Sequence, residues 1–290
     1  MKVFALLLSS VVGMVALSLA GSCSSNNSQT VIPVSQPSAL PSPSSTTNES
    51  LPSLLKAEPY SSGDIKIVAV EIKEKNSVLR YELDVSYPQI DGPSTPQERN
   101  FNSYVQRMVE NDVKEFKRFC SRNTKYPNGR ARDMEYHMGT RYEVLYSMPR
   151  LLSINLKRET FTGYLNSDWY PIPLNYDLKA GRPLKNLAAL FKPQSKFLKT
   201  IADYCVDELM RVGLSCGGGG VGGEQWLRRG AEPKADNYGG WNLTRNGLQI
   251  NFGEYQIGPG CLGLVSVVVP YEHLKGMLRE DLEGVLSARS

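Results

Sequence analysis

The chain has 290 residues, 41% of them apolar and 21% charged, and 33 Lys and Arg against 29 Asp and Glu give a formal net charge of +4. That length can bury one large or two small cores, and the composition is that of an ordinary globular protein. A charge this small and this scattered does not supply the basic patch that a nucleic-acid partner requires.

Residues 1–23 read as a targeting segment. Lys2 supplies a positive start, Val3–Ala20 is an apolar run broken only by Ser and Gly, and small residues precede Cys23. The end of this segment resembles a bacterial lipobox with Cys23 as the lipidated residue, although Ala20 stands where Leu is usual. Cleavage after Ala20, or retention as a membrane helix at about the minimum spanning length, are the alternatives. All three export the chain. Residues 24–62 are dominated by Ser, Pro, Thr and Asn, which cannot bury enough apolar surface to offset the entropy of ordering. They form a linker that would hold the folded part roughly 35 Å from an anchor.

The first folded part is expected over 63–148. Residues 65–72 and Val78–Val85 alternate as strands with a turn at Asn76-Ser77. Thr95, Pro96 and Glu98 then make a helix start, with Thr95 as cap, Pro96 in the first turn and Glu98 closing a capping box. Phe101, Tyr104, Val105, Met108, Val109, Val113, Phe116, Phe119 and Cys120 continue as one helical stripe. The second part, 149–290, takes strands from Leu151–Arg158 and Trp169–Leu178, while Arg141–Ser147 closes the first part. It adds a helix over Lys192–Val212 stopped by Gly213. Near its end come a hairpin of Trp241–Thr244 and Leu248–Phe252 around Asn246-Gly247, and an apolar strand ended by Pro270. Two long amphipathic helices interleaved with strands predict an α+β fold, a mostly antiparallel sheet with both helices packed on one face.

Between helix and hairpin, Leu214–Gly240 lacks periodicity. Its run Cys216–Gly223 has the glycines of a phosphate loop but not the following Gly-Lys-Ser/Thr, and it follows a helix instead of a strand. It reads as a surface loop. Because such loops carry contacts, Trp226, Arg228, Arg229, Tyr238 and Trp241 are the candidate ligand-binding residues.

Apart from Cys23 there are four cysteines, and an even number in an exported chain favours two disulfides. Cys205–Cys216 with Cys120–Cys261 is the favoured pairing, and a Cys120–Cys205 bond between the helices is the alternative. No paired-histidine, His-Glu-x-x-His or Gly-x-Ser-x-Gly motif is present, and the two histidines, His137 and His273, stand far apart. These patterns predict no catalysis, no metal and no cofactor.

One resemblance adds to this reading. Leu243, Thr244, Gly247, Leu248, Phe252, Tyr255, Ile257, Gly258, Pro259, Gly263, Val267, Val269, Pro270, Tyr271 and Leu274 fall in an order that resembles the end of the RsiV-type C-terminal domain. Residues 175–184 with Leu190 and Phe191 resemble an earlier segment of the same family. Tyr87, Pro88, Ile90, Gly92 and Asn102 resemble the small domain that often precedes it. Where the family often carries a Gly-Ala-His stretch, this chain has Gly163, Tyr164 and Leu165. The family occurs in a lysozyme-sensing anti-sigma factor and beside some peptidoglycan deacetylases. The resemblance therefore implies an extracytoplasmic binding domain for a lysozyme-like protein or peptidoglycan fragments. Related envelope hydrolases or deacetylases and structural lipoproteins are the other classes. No cytoplasmic domain precedes the export segment in this sequence, which predicts against direct control of a sigma factor.

Overall fold

A computed structural model describes residues 60–61, 65–123, 135–163, 167–214 and 223–287. Cys23, residues 24–59 of the expected linker and Cys216 with most of the glycine run lie outside the described residues, and the linker's expected end at 62 is corrected because Tyr60 and Ser61 pair with the large sheet. The architecture is α+β, with a seven-stranded and a three-stranded sheet.

The large sheet contains β1 (Tyr60–Ser61), β2 (Ile67–Asn76), β3 (Tyr81–Ile90), β4 (Tyr136–Ser147), β5 (Leu151–Phe161), β6 (Asp168–Asp177) and β7 (Arg182–Pro183). From β2 to β7 the strands lie side by side in chain order, and β1 pairs with the far end of β4. The turn from β2 to β3 is built as its sequence suggests, with Asn76 Oδ1 accepting from the amides of Val78 and Leu79. In β3 the alternation is strict at first: Tyr81, Leu83, Val85 and Tyr87 are buried while Glu82 is exposed. Pro88 is tolerated inside this strand because β4 pairs only with Tyr81–Val85, so the missing amide disturbs no second ladder.

β3 and β4 are parallel, and such a pair needs a crossover. Helix α1 (Pro96–Arg122) supplies it. Thr95 accepts from the amide of Glu98 and the Glu98 side chain returns to the amide of Thr95, a complete capping box. The stripe Phe101, Val105, Val109, Val113, Phe116 and Cys120 is buried against the sheet. At roughly 1.5–3 kcal/mol for each of the larger side chains, this burial favours docking by on the order of 10 kcal/mol before entropy is subtracted.

The other face of the same sheet helps to form a second core. Strand β5 shows the division: Leu152, Ile154 and Leu156 join the α1 core, while Leu151 belongs to the other. That second core is filled by α2 (Phe197–Val212), the small sheet of β8 (Trp241–Leu243), β9 (Gly247–Phe252) and β10 (Val265–Pro270), and the C-terminal helix α4 (Glu280–Ser287). Each long helix thus covers a sheet of its own, α1 the large one and α2 the small one. The junction expected at 148/149 falls in the tight turn between β4 and β5, which pair along their lengths, so one sheet continues across it.

A buried polar seam joins the sheets. Ser153 donates to Asn175 Oδ1 at 2.6 Å and accepts from the Leu243 amide at 2.9 Å, while Asn175 donates to the Trp241 carbonyl at 2.8 Å. Asn242 reaches Ser153 at 3.0 Å and accepts from Asn251, also at 3.0 Å. Buried amides of this kind must be satisfied, and satisfying them fixes how β8 sits on β5 and β6.

The cysteine pairing requires correction. Cys120 and Cys205 are buried free thiols, so neither favoured disulfide forms and the helix-to-helix alternative fails as well. The layering just described is the reason no helix-to-helix bond forms: α1 and α2 belong to different cores. Cys261 is disulfide-bonded, with its partner outside the described residues.

Candidate functional site

The turns at one end of the large sheet build a cleft of about 550 Å³, lined in part by Arg150, Asp177, Lys179, Arg182, Lys185, Arg279 and Asp281. Arg150 sits in the β4–β5 turn, which is closed by the Met148 amide on the Leu151 carbonyl at 3.0 Å. Its backbone carbonyl accepts from the Leu178 amide at 2.7 Å, which brings the β6–β7 turn alongside. That second turn is held by Asp177, whose Oδ1 accepts from the Ala180 amide at 2.9 Å. It closes through Gly181 at φ +63°, the left-handed region that glycine reaches without strain. A Cβ there would also press on Gln97 of α1 at 3.2 Å. The third wall is the start of α4.

Charge in the cleft is arranged in two tiers. At the base, Asp281 is ion-paired with Arg150, and Arg279 lies 2.8 Å from the same carboxylate. Arg150 also lies 3.8 Å from the buried Asp177. Hydrogen bonding from Arg150, and less strongly from Arg279, holds the Asp281 carboxyl below its ordinary range. Arg279 further donates to the Ala189 carbonyl at 3.1 Å, so its guanidinium is fixed from both sides. At the rim, Lys179, Arg182 and Lys185 are exposed, and no ion pair with them is found among the described residues. The base is locked and nearly balanced. The rim carries free positive charge.

Five cations and two carboxylates line this cleft, an excess of 5 − 2 = +3, which nearly equals the net charge of +4 carried by the whole chain. A second cleft of about 460 Å³, bordered by Arg228, does not have this character. Its charged residues are Lys199, Asp203, Asp207, Arg228 and Glu232, which nearly cancel.

The residues expected to bind ligand do not share a surface. Tyr238 and Trp241 are each only 1% exposed and belong to the second core, with the Tyr238 hydroxyl donating to the Ala231 carbonyl at 2.7 Å. Trp241 is thereby corrected from a contact residue to an interior one, whereas Tyr238, though buried, borders a cleft of about 510 Å³ beside Phe197 and Lys185. Trp226 is half-buried on the short helix α3 (Glu224–Gly230) and donates from Nε1 to the Tyr255 carbonyl at 3.1 Å. Arg228 and Arg229 are exposed, and Arg228 pairs with Glu224 at 2.6 Å. The cleft was missed although a signal was present. Lys179, Arg182 and Lys185 recur every third residue around Gly181, a basic turn read only for its family resemblance.

Among the described residues no group of three His, Cys, Asp or Glu side chains is placed to hold a metal ion. His137 lies in β4 beside Gly139, and His273 lies against the Tyr204 ring with centroids 4.8 Å apart.

Comparison with known proteins divides the chain at this cleft. Residues 72–164 match a family described as "Deacetylase PdaC", and residues 188–272 match one described as "Protein of unknown function (DUF3298)". The second match includes most of the stretch that carries the RsiV-type resemblance and is compatible with it. Arg150 comes from the first matched stretch, Asp177–Lys185 from the interval, and Arg279 and Asp281 from beyond the second. The chain is similar to the peptidoglycan-N-acetylmuramic acid deacetylase PdaC of Bacillus subtilis (strain 168), at 18% identity over 206 residues. That alignment covers 71% of this chain but 41% of the relative, so the chain spans less than half of its length. A crystal structure of a DUF3298 family member from Bacteroides fragilis shares the fold, with a TM-score of 0.57 at 16% identity over 79% of this chain and 98% of that one. A DUF3298 family protein from Pseudomonas aeruginosa PAO1 aligns over 75% of this chain and 95% of that one, at 16% identity and a TM-score of 0.47.

Proposed function

We propose that this chain is a non-catalytic binding protein of the bacterial envelope, related to the accessory part of a peptidoglycan deacetylase, and that it recognises peptidoglycan-derived ligands at the Arg150–Arg182–Arg279 cleft. The observation that carries the reading is the concentration of the chain's excess positive charge in one cleft, built from the first matched stretch, the interval after it and the segment beyond the second. Peptidoglycan carries carboxylates, and a rim of unpaired Lys and Arg attracts them. Export through residues 1–23, with lipid attachment at Cys23, belongs to the same proposal and would hold the cleft near the wall. In the membrane fraction, Cys23→Ser is then expected to release the protein to a soluble exported form.

The test is co-sedimentation of the purified protein with insoluble wall sacculi, with a parallel capture on immobilised lysozyme. The reading expects salt-sensitive binding to sacculi. Failure to sediment with sacculi, together with capture by lysozyme, would replace it with the lysozyme-like partner implied by the RsiV-type resemblance. A second reading, catalysis, is favoured only by the similarity to the Bacillus deacetylase. Release of acetate from acetylated glycan by the purified protein would establish it.

A further inference from the structure

Among the described residues, the lining of the cleft contains cations, carboxylates, Pro183, Leu184, Asn186 and two alanines, but no aromatic ring. Sugar rings are ordinarily held by stacking their apolar faces on aromatic side chains, which combine apolar area with a polar edge. The chain does not lack rings, since it has 15 Tyr, 8 Phe and 3 Trp. Yet Tyr176, which neighbours Asp177 in β6, turns into the α1 core instead. What the cleft does present is charge at three exposed positions, Lys179, Arg182 and Lys185, above a base already neutralised by Asp177 and Asp281.

From this we infer that the cleft recognises the carboxylates of the peptide stem, not the glycan strand. The inference rests on the proposed peptidoglycan reading and names the part of the polymer that is bound. Arg150 and Arg279 do not contact the ligand's charge directly in this account. They are positioning residues that lock Asp281 and keep the base rigid, with Arg150 Nε a buried donor left without a partner and the rim cations left as the exposed charges. Asn186 and the apolar patch of Pro183, Leu184 and Ala189 would accommodate the short uncharged side chains between carboxylates.

The experiment compares four probes with the full chain: intact sacculi, peptide-free glycan strands released by an amidase and then amidated at the lactyl carboxylates this frees, a soluble muropeptide, and the same muropeptide with its carboxylates amidated. Inorganic polyphosphate is added as competitor in a separate arm. Intact sacculi and the muropeptide should bind, whereas glycan strands and the amidated muropeptide should not. The triple variant Lys179→Ala, Arg182→Ala and Lys185→Ala should weaken muropeptide binding roughly tenfold, the combined scale of three exposed charge pairs. Because all three side chains are exposed, the variant should melt as the wild type does. Binding of glycan strands as tight as that of sacculi would overturn the inference while leaving the wall-binding reading intact. So would full affinity in the triple variant, or polyphosphate competing as well as the muropeptide. Absence of binding to intact sacculi would overturn both.

Discussion

Gly247 shows how a single position can be recognised for the wrong reason. In the sequence it reads as the glycine of a tight Asn-Gly turn, needed for positive φ, but its φ is not positive. The constraint is contact: a Cβ on Gly247 would lie 2.2 Å from the Val269 carbonyl oxygen of the neighbouring strand. Gly247→Ala should therefore destabilise the protein by about 1–3 kcal/mol, the cost of forcing atoms into a packed sheet. Denaturant unfolding reads this directly, and an unchanged midpoint would refute the explanation. The thiols make a similar point. Burial pushes the Cys120 thiol up to about 11 and the deeply buried Cys205 higher still. Native protein at pH 8 should leave both unmodified by a thiol reagent, and both should react after denaturation. Rapid labelling of either in the native state would contradict their placement. Trp226 belongs at this scale too, because its indole ties α3 to the turn at Tyr255. Trp226→Ala should cost roughly 1–2 kcal/mol of stability from a lost hydrogen bond and lost burial, with wall binding intact. Reduced binding with an unchanged melt would restore Trp226 as a ligand contact.

At the level of elements, what was legible depended on how local the signal is. Helix α1 could be placed within a few residues because its cap and its stripe are both written in adjacent residues. Helix α2 begins at Phe197 and not at Lys192, because Leu187–Leu190 forms a separate 3₁₀ turn and the Lys192 amide is used by the Met277 carbonyl. No local pattern announces that contact. Strand β4 extends back to Tyr136, through a stretch that reads as polar, since its pairing with β3 is supplied by a distant part of the chain. The loop expected over Leu214–Gly240 contains α3 and a 3₁₀ turn pinned by Gln256, which donates to the carbonyls of Gly230 and Asn237, each at 3.0 Å. The capping box gives a quantitative check. Thr95→Ala should cost about 0.5–2 kcal/mol. Hydrogen bonding from the Thr95 backbone lowers the Glu98 pKa below its ordinary value. A depressed carboxylate pKa contributes stability that is present above the unfolded value of about 4.3 and is lost as pH falls through the lower folded value. Glu98→Gln should therefore show a shallower loss of melting temperature on acidification than the wild type. Parallel curves would remove Glu98 from the cap.

For the molecule as a whole, composition was a fair guide to class and a poor one to the site. A net charge of +4 over 290 residues looks featureless in the sequence, yet folding gathers an excess of three into one cleft. The gathering is topological. Arg150, the Asp177–Lys185 turn and the Arg279–Asp281 segment are separated by up to 131 positions, and only the continuous sheet and the docking of α4 bring them together. Arrangement of the two cores was also beyond the sequence, because period-2 alternation shows that β5 has two faces but not that both are covered by different layers. The most direct check of the central claim is a hydrogen-exchange footprint of the full chain with and without a soluble muropeptide. Protection should concentrate on the turns around Arg150 and Leu178–Lys185 and on Arg279–Asp281, leaving Glu224–Gly230 unchanged. Protection confined to Glu224–Gly230, or none anywhere at saturating muropeptide, would contradict the account.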